Sequence, residues 1–325
     1  MQTRFYEDSY KGINSIVLEN DQIRAEWLPS NGAKLASLIT KTPQGNIELL
    51  FQSEQTEIAT PNYGDCFAEF DTSGFDECFP TIQECDIVLT EQSSSLLMPD
   101  HGEVWAMPWK LERLAENRLA FSVFSERFGY ILTKQVTLTA DGLDSHYVVS
   151  LANDRAALPF IWTPHALFAV YDNHRFITPE RMNEIINVCE GGGELGKFGA
   201  IYQYPKTTTP EKRAIDLSLM EPVEANNCEK YYFTDLLEKG DQFGFENCHC
   251  RVMMMVSEDV VPYLGIWKNQ SGFKGHYNFA LEPCSGAYDS TASAYKNGRC
   301  AILEPGETVS WHFDLTITSA VEQTQ

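Results

Sequence analysis

The stretch TVSWHFDLTI, residues 308–317, alternates strictly between apolar and polar side chains. Its apolar positions are Val309, Trp311, Phe313, Leu315 and Ile317. Because successive side chains of a β-strand point to opposite faces, this period of two predicts a strand with one buried face. Such a strand is typical of an antiparallel sheet that covers a core on one side.

The same rhythm recurs more weakly elsewhere, and turn-forming segments such as PSNGA, ADGLD, KNGR and EPGE separate the runs. The segment 178–189, TPERMNEIINVC, has apolar residues at helical spacing but β-branched residues at its centre, so it fits a short helix or a strand. No linker or repeat divides the chain. We therefore predict an all-β fold, a large two-sheet antiparallel β-sandwich formed by one domain over residues 1–318, followed by a tail over 319–325.

Composition narrows the classes of partner. The 325 residues include 24 Lys and Arg against 46 Asp and Glu, a net charge of −22 that repels nucleic acid and anionic membranes. No stretch of roughly 18 apolar residues predicts a membrane span, and the first residues do not resemble a signal peptide. The nine cysteines follow no disulfide framework, which favours reduced thiols. We expect a cytoplasmic protein that binds neither nucleic acid nor membranes.

Three segments carry candidate catalytic side chains. His101 lies in MPDHGEVWAMPW (98–109), His165 in FIWTPHALFAV (160–170), and Glu282 in YNFALEPCSGAYDS (277–290). A carboxylate at the end of a strand, just before proline, can face a cavity, and a histidine on another strand would give an acid and a base across it. Each residue also has a purely structural interpretation, as a hydrogen-bonded core histidine or a solvated strand-end glutamate.

Metal and phosphate sites are not expected. In NCHC, residues 247–250, the alternation of a strand would turn His249 away from the two cysteines, and no second pair of ligands has zinc-site spacing. No glycine-rich phosphate loop and no Gly-x-Ser-x-Gly nucleophile motif occurs. We therefore predict no metal and no cofactor.

Taken in order, these segments resemble the aldose 1-epimerase (galactose mutarotase-like) family, and the resemblance extends from NSIVLENDQIRAEWLPSNGAKLASL to the strand at 308–317. It rests on DHGEVWAMPW for His101, on TPHALF for His165 and on ALEPCSG for Glu282. The segments GFDECFPTI and YLGIWKNQSG fit an outlying branch, in which Glu77 and Trp267 line the pocket. The resemblance implies a cofactor-free sugar site on one face of a large β-sandwich.

For that family, the resemblance implies a hexose mutarotase that interconverts α- and β-anomers by general acid and base catalysis. Glu282 would be the ionised base, His165 the protonated acid, and His101 would hydrogen-bond the sugar at the reacting centre. Trp105 or Trp267 would cover the apolar face of the ring. Because Lys268 is the one cation near a predicted pocket strand, we expect a neutral hexose.

Two alternatives stay open at the level of sequence. The first is a non-catalytic sugar-binding or regulatory protein on the same fold, since a fold does not fix an activity. The second is glycoside hydrolysis, which usually needs two carboxylates and would pair Glu282 with Glu77 or Asp76.

Overall fold

The computed structural model describes residues 2–88, 95–189 and 193–319. The strands within these ranges form three large sheets and three two-stranded ribbons, and the ladders between them are antiparallel. Within this described part of the chain there is one α-helix, α1 (Thr291–Lys296). Three single-turn 3-10 helices complete the regular structure: Phe67–Glu69, Val104–Ala106 and Val223–Ala225.

In spatial order, the seven-stranded sheet consists of β1 (Arg4–Tyr10), β2 (Ile13–Glu19), β3 (Ile23–Leu28), β4 (Lys34–Thr42), β6 (Phe75–Cys78) and β14 (Thr163–Ala166), with β5 (Gly45–Glu48) on β4. The six-stranded sheet consists, also in spatial order, of β15 (Phe168–Ala169), β25 (Tyr277–Cys284), β24 (Tyr263–Gln270), β21 (Asn227–Phe233), β17 (Glu184–Asn187) and β18 (Ile201–Gln203).

The eight-stranded sheet consists, again in spatial order, of β16 (Arg175–Ile177), β22 (Phe243–Glu246), β23 (Cys250–Val256), β27 (Thr308–Ser319), β12 (Gly142–Leu151), β11 (Tyr130–Leu138), β10 (Arg118–Phe124) and β9 (Lys110–Ala115). The ribbons pair β7 (Cys85–Ile87) with β8 (Leu96–Met98), β13 (Leu158–Phe160) with β26 (Ala301–Leu303), and β19 (Lys206–Thr208) with β20 (Ala214–Asp216).

These sheets form two layers. Strands β14 and β15 follow each other along the chain but belong to different sheets, so the seven- and six-stranded sheets meet there and form one layer. The eight-stranded sheet is the other layer, and aromatic rings pack between the two: Trp27 against Phe121 at 6.1 Å and Phe168 against Phe245 at 4.8 Å. The predicted all-β antiparallel sandwich is confirmed.

Strand β27 shows how the sequence pattern becomes packing. It lies between β12 and β23, and it buries Trp311, Phe313 and Leu315 while exposing His312. The Trp311 ring stacks on Tyr147 of β12 at 5.4 Å. The alternation at 308–317 thus predicted the buried face correctly.

The ambiguous segment 178–189 contains the strand β17 and no α-helix. Ile185 is fully buried in the main core, whereas Ile186 packs on a smaller cluster around Ile161 and Tyr232. Two adjacent β-branched residues whose side chains point to opposite sides fit a strand and do not fit one face of a helix. Of the predicted tail, residue 319 belongs to β27 and residues 320–325 lie outside the described residues.

Within the described ranges, the structure has no helix long and apolar enough to cross a membrane.

Candidate functional site

A cavity of about 720 Å³ opens on the face of the six-stranded sheet that points away from the core. Strand β25 defines the two faces: Phe279 and Leu281 pack in the core, while Asn278 and Glu282 line the cavity. The seven-stranded sheet and its loops contribute His101 and the following side chains to the lining: Phe67, Ala68, Thr72, Ile82, Gln83, Asp100, His165 and Leu167.

Glu282 lines this cavity with a fully buried side chain, and it forms an ion pair with a lysine that sequence analysis missed. Lys230 Nζ lies 2.7 Å from Glu282 Oε2 and 3.0 Å from Asp289 Oδ1. Tyr232 donates a hydrogen bond of 2.8 Å to the same Asp289 oxygen. The intervening strand carries Gly265 opposite Glu282 and Tyr232, where an added Cβ would lie 3.1 Å from the Tyr232 ring.

His165 reaches the same point from the other sheet. Its Nε2 lies 3.8 Å from Glu282 Oε1, and its side chain is almost completely buried. A separation of 3.8 Å is too long for a direct hydrogen bond. It is short enough for one ligand oxygen to lie within hydrogen-bond reach of both groups.

His101 completes a triangle with these two residues. Its ring lies 4.9 Å from His165 and stacks on Phe67 at 4.2 Å. Its Nδ1 lies 2.8 Å from Asp100 Oδ1, which leaves Nε2 as the nitrogen that can meet a ligand.

The His-Gly motif has a backbone cause. His101 and Gly102 both have positive φ, at 58° and 74°. A Cβ on Gly102 would lie 2.1 Å from the carbonyl oxygen of Phe79, so only glycine fits this turn. The turn presents the His101 ring to the cavity.

Burial dominates the protonation of the central pair. Burial raises the pKa of Glu282, and Lys230 opposes that rise. Burial also lowers the pKa of His165 well below its usual range, and the charges of His101 and Lys230 add to this effect. Burial favours neutral Lys230, but Asp289 and Glu282 outweigh it and raise the lysine's pKa.

The structure brings four of the six predicted site residues to this cavity: His101, His165, Glu282 and Trp267. Trp267 lies beside His165, with ring centroids 6.3 Å apart. Trp105 lies behind the lining, where its Nε1 donates to the Asp100 carbonyl at 3.0 Å and its ring packs edge-on against Phe67. Trp109 is buried and donates to the Val104 carbonyl at 2.9 Å.

Glu77 lies between the two layers instead of in the cavity. It is fully buried and accepts hydrogen bonds from Lys134 at 2.9 Å, Tyr147 at 2.8 Å and Trp162 at 2.9 Å. Its neighbour Asp76 is equally enclosed, 2.7 Å from Lys34 Nζ. Neither carboxylate is a lining residue, so neither forms the pair with Glu282 that the hydrolysis hypothesis assigned to it.

Lys268, the cation expected near the pocket, faces the other side of its strand and donates to the Leu219 carbonyl at 3.1 Å. Among the described residues that line the cavity, the lysine is Lys230, and the second carboxylate beside it is Asp289. The signal for Lys230 was a lysine inside an aromatic strand, in EKYYF. Asp289 was present in the segment quoted for Glu282.

No protein-family model and no curated protein matches this chain. Solved structures do match: the Slr1438 protein from Synechocystis sp. PCC 6803 has a TM-score of 0.70 at 16% identity, with 97% of this chain and 99% of that chain covered. A galactose mutarotase-like protein from Lactobacillus casei ATCC 334 has a TM-score of 0.67 at 17% identity, with coverages of 94% and 100%. A galactose mutarotase related enzyme from Lactobacillus acidophilus has a TM-score of 0.66 at 15% identity, with coverages of 94% and 97%.

Proposed function

We propose that this chain, which has the galactose mutarotase-like fold, is an aldose 1-epimerase that interconverts the α- and β-anomers of a neutral hexose. One observation carries the proposal: a buried carboxylate and a buried imidazole from different sheets meet 3.8 Å apart in a large cavity. Anomerisation moves protons at two oxygens that share one carbon, and it therefore needs an acid and a base this close together.

In the proposed reaction, Glu282 takes the proton of the anomeric hydroxyl while His165 protonates the ring oxygen. The bond between the anomeric carbon and the ring oxygen breaks, and a carbonyl forms at the anomeric carbon. After rotation about the adjacent carbon–carbon bond, the ring closes on the opposite face. Closure returns one proton to His165 and the other from Glu282 to the anomeric oxygen, so no cofactor is consumed.

The structure changes one part of the sequence-based mechanism. His165 was expected to be protonated at the working pH, but its lowered pKa favours the neutral imidazole. The protonated form is then scarce but a stronger acid, and the raised pKa of Glu282 makes its carboxylate a stronger base. In this proposal each pKa shift makes the reactive form of its residue rarer, but it also makes that form give or take a proton more readily.

Other lining residues support the same reaction. Lys230 stabilises the ionised form of Glu282 and fixes its orientation. His101, oriented by Asp100, would form a hydrogen bond with the sugar at the reacting centre through Nε2. Trp267 offers a flat apolar surface for the ring.

The charges of the cavity favour a neutral sugar. Its described lining contains the carboxylates of Asp100, Glu282 and Asp289 and, as the one lysine or arginine, Lys230. Because Lys230 is already paired with two carboxylates, a phosphate group would find no free cation among these residues.

The first prediction concerns Glu282→Gln. Addition of the wild-type protein to freshly dissolved α-glucose or α-galactose should make the optical rotation reach its equilibrium value faster. The variant should lower kcat/KM at least ~100-fold, the smaller end of the range for a lost general base. Sugar affinity in calorimetry should change far less, because the amide can still hydrogen-bond a hydroxyl.

The chain contains a matched control. Glu304 stands in a second Leu-Glu-Pro sequence, residues 303–305, but is exposed, so Glu304→Gln should retain wild-type activity. Sugar binding without faster equilibration in the wild-type protein would instead make this a binding protein. Full activity of Glu282→Gln would remove Glu282 from the mechanism.

A further inference from the structure

We infer that the cavity continues beyond the reacting ring into a second sugar-binding subsite, so that the substrate is a reducing disaccharide or a longer reducing oligosaccharide. We call this region the distal subsite and define it by Thr72, Trp267, Phe273, His276 and Asn278, all of which line the cavity. The inference rests on the proposed function for the position of the reacting ring at Glu282.

Strand geometry separates the two regions. Glu282 and Asn278 lie on the same face of β25, four residues apart, and a strand advances about 3.3 Å per residue, or ~13 Å in all. Ala280 stands between them on this face, with a side chain too small to divide the cavity. A single hexose with its anomeric carbon at Glu282 does not extend to Asn278, but a second ring joined to it does.

The distal subsite contains buried polar atoms without partners. The side chain of Asn278 is 1% exposed, and neither its carboxamide oxygen nor its nitrogen has a hydrogen-bond partner among the described residues. Thr72 Oγ1 and His276 Nδ1 are likewise unpaired within the described structure. Because buried polar groups in proteins are normally hydrogen-bonded, the arrangement points to a ligand that supplies both donors and acceptors.

A neighbouring asparagine on the same face of the sheet has a structural role instead. Asn269 is the partner of Asn278 in the β24–β25 ladder and is also fully buried. Its Nδ2 donates to the Phe273 carbonyl and its Oδ1 accepts from the Phe273 amide, both at 3.0 Å. One asparagine of the pair therefore fixes the loop that holds Phe273, while the other keeps its hydrogen-bonding capacity.

Aromatic rings connect the two regions. The Trp267 centroid lies 6.3 Å from that of His165 at the reacting centre and 6.2 Å from that of Phe273 in the distal subsite. The His276 ring packs on Phe51 at 4.8 Å, which orients it at the far side. Flat rings flanked by unpaired hydroxyl and amide groups suit a polyhydroxylated, uncharged ligand.

The orientation of the substrate follows from the chemistry. Anomerisation needs a free anomeric hydroxyl at Glu282, so the reducing ring lies there. The second unit must then be attached through another hydroxyl and extend along β25 to Asn278. The cavity volume of about 720 Å³ lies within the range of about 300–1,000 Å³ typical of pockets that bury drug-sized ligands.

The test is a comparison of mutarotation rates for glucose, maltose, cellobiose and lactose, each dissolved as one anomer. We expect at least one disaccharide to have a kcat/KM above that of glucose. Asn278→Ala should lower the ratio of disaccharide to glucose kcat/KM on the order of 10-fold, the effect of one or two lost hydrogen bonds. Calorimetry of both proteins with the same sugars should show the same change in relative affinity.

Ser293→Ala is the directional control. Ser293 lines the same cavity at the helix α1, away from the distal subsite, and should leave the ratio unchanged. If glucose is anomerised but Asn278→Ala leaves the ratio unaltered, or Ser293→Ala changes it instead, the distal subsite is wrong and the proposed function stands. If no sugar is anomerised, the proposed function fails, and the calorimetric comparison alone decides on the subsite.

Discussion

Glu282 and His165 owe their acid–base properties to burial as much as to their chemical identity. Burial raises the pKa of Glu282 and lowers the pKa of His165. In the proposed reaction Glu282 must be ionised, which moves the acid limb of the rate profile above that of an ordinary glutamate. His165 must be protonated, which moves the alkaline limb below that of an ordinary histidine. A narrow bell-shaped dependence of kcat/KM on pH is the expected result.

Lys230→Met tests the origin of these limbs. The lysine's charge lowers the pKa values of both Glu282 and His165, so its removal should raise both. The whole bell should therefore shift to higher pH, measured as kcat/KM by polarimetry at a series of pH values. Lys230→Arg keeps the charge and should keep the limbs near their wild-type positions. An unchanged or acid-shifted profile for Lys230→Met would contradict this account.

At the same scale, the sequence predicted the central residues better than their surroundings. His101, His165 and Glu282 stood in recognisable segments. Lys230 lies on β21, two strands away from the strand of Glu282, and only the register of the sheet brings the two side chains together. Sequence alone does not fix that register. The prediction that Glu77 lines the pocket was wrong because the sequence does not show which face of its strand a residue occupies. Glu77 occupies the face between the layers, where it contacts Lys134, Tyr147 and Trp162.

Among the elements, the strands differ in how plainly their sequences specify them. Strand β27 alternates because one face is buried and the other is exposed, and its pattern could be read directly. Strand β17 is short, and its two adjacent isoleucines contact apolar clusters on opposite faces, so its spacing resembled that of a helix. The turn at Gly102 was visible as a motif, but its cause is contact with a distant carbonyl group.

Gly102→Ala tests how rigid that turn is. The added Cβ would overlap the Phe79 carbonyl and would also strain a backbone with φ of 74°. We expect the free energy of unfolding to fall by at least ~2 kcal/mol and the activity to fall with it, because His101 is displaced. Urea denaturation and polarimetry measure the two effects.

Gly12→Ala is the matched control for that turn. Its φ is 85°, but nothing lies within 4 Å of an added Cβ, so it carries the backbone strain alone, about 1–2 kcal/mol. Equal destabilisation by both substitutions would show that the Phe79 carbonyl moves aside and that contact does not define the turn.

For the whole molecule, the net charge of −22 acts on any charged substrate before it reaches the site. We expect glucose 6-phosphate to have a kcat/KM at least ~10-fold below that of glucose at 0.01 M salt, where screening extends over about 30 Å. The difference should shrink at 0.3 M salt, because the repulsion is screened. Equal rates at low salt, or a preference for the phosphate, would contradict the proposed neutral substrate.

The position of β27 between β12 and β23 has a consequence for synthesis on the ribosome. Translation produces β12 and β23 before β27, and the ladder contacts of both strands on that side are made by β27. Until β27 emerges, the nascent chain holds two strand edges with unpaired backbone groups, the kind of edge that recruits other chains. Completion of the eight-stranded sheet is therefore a late event, and a translational pause before residue 308 would prolong the period in which a chaperone has to cover those edges.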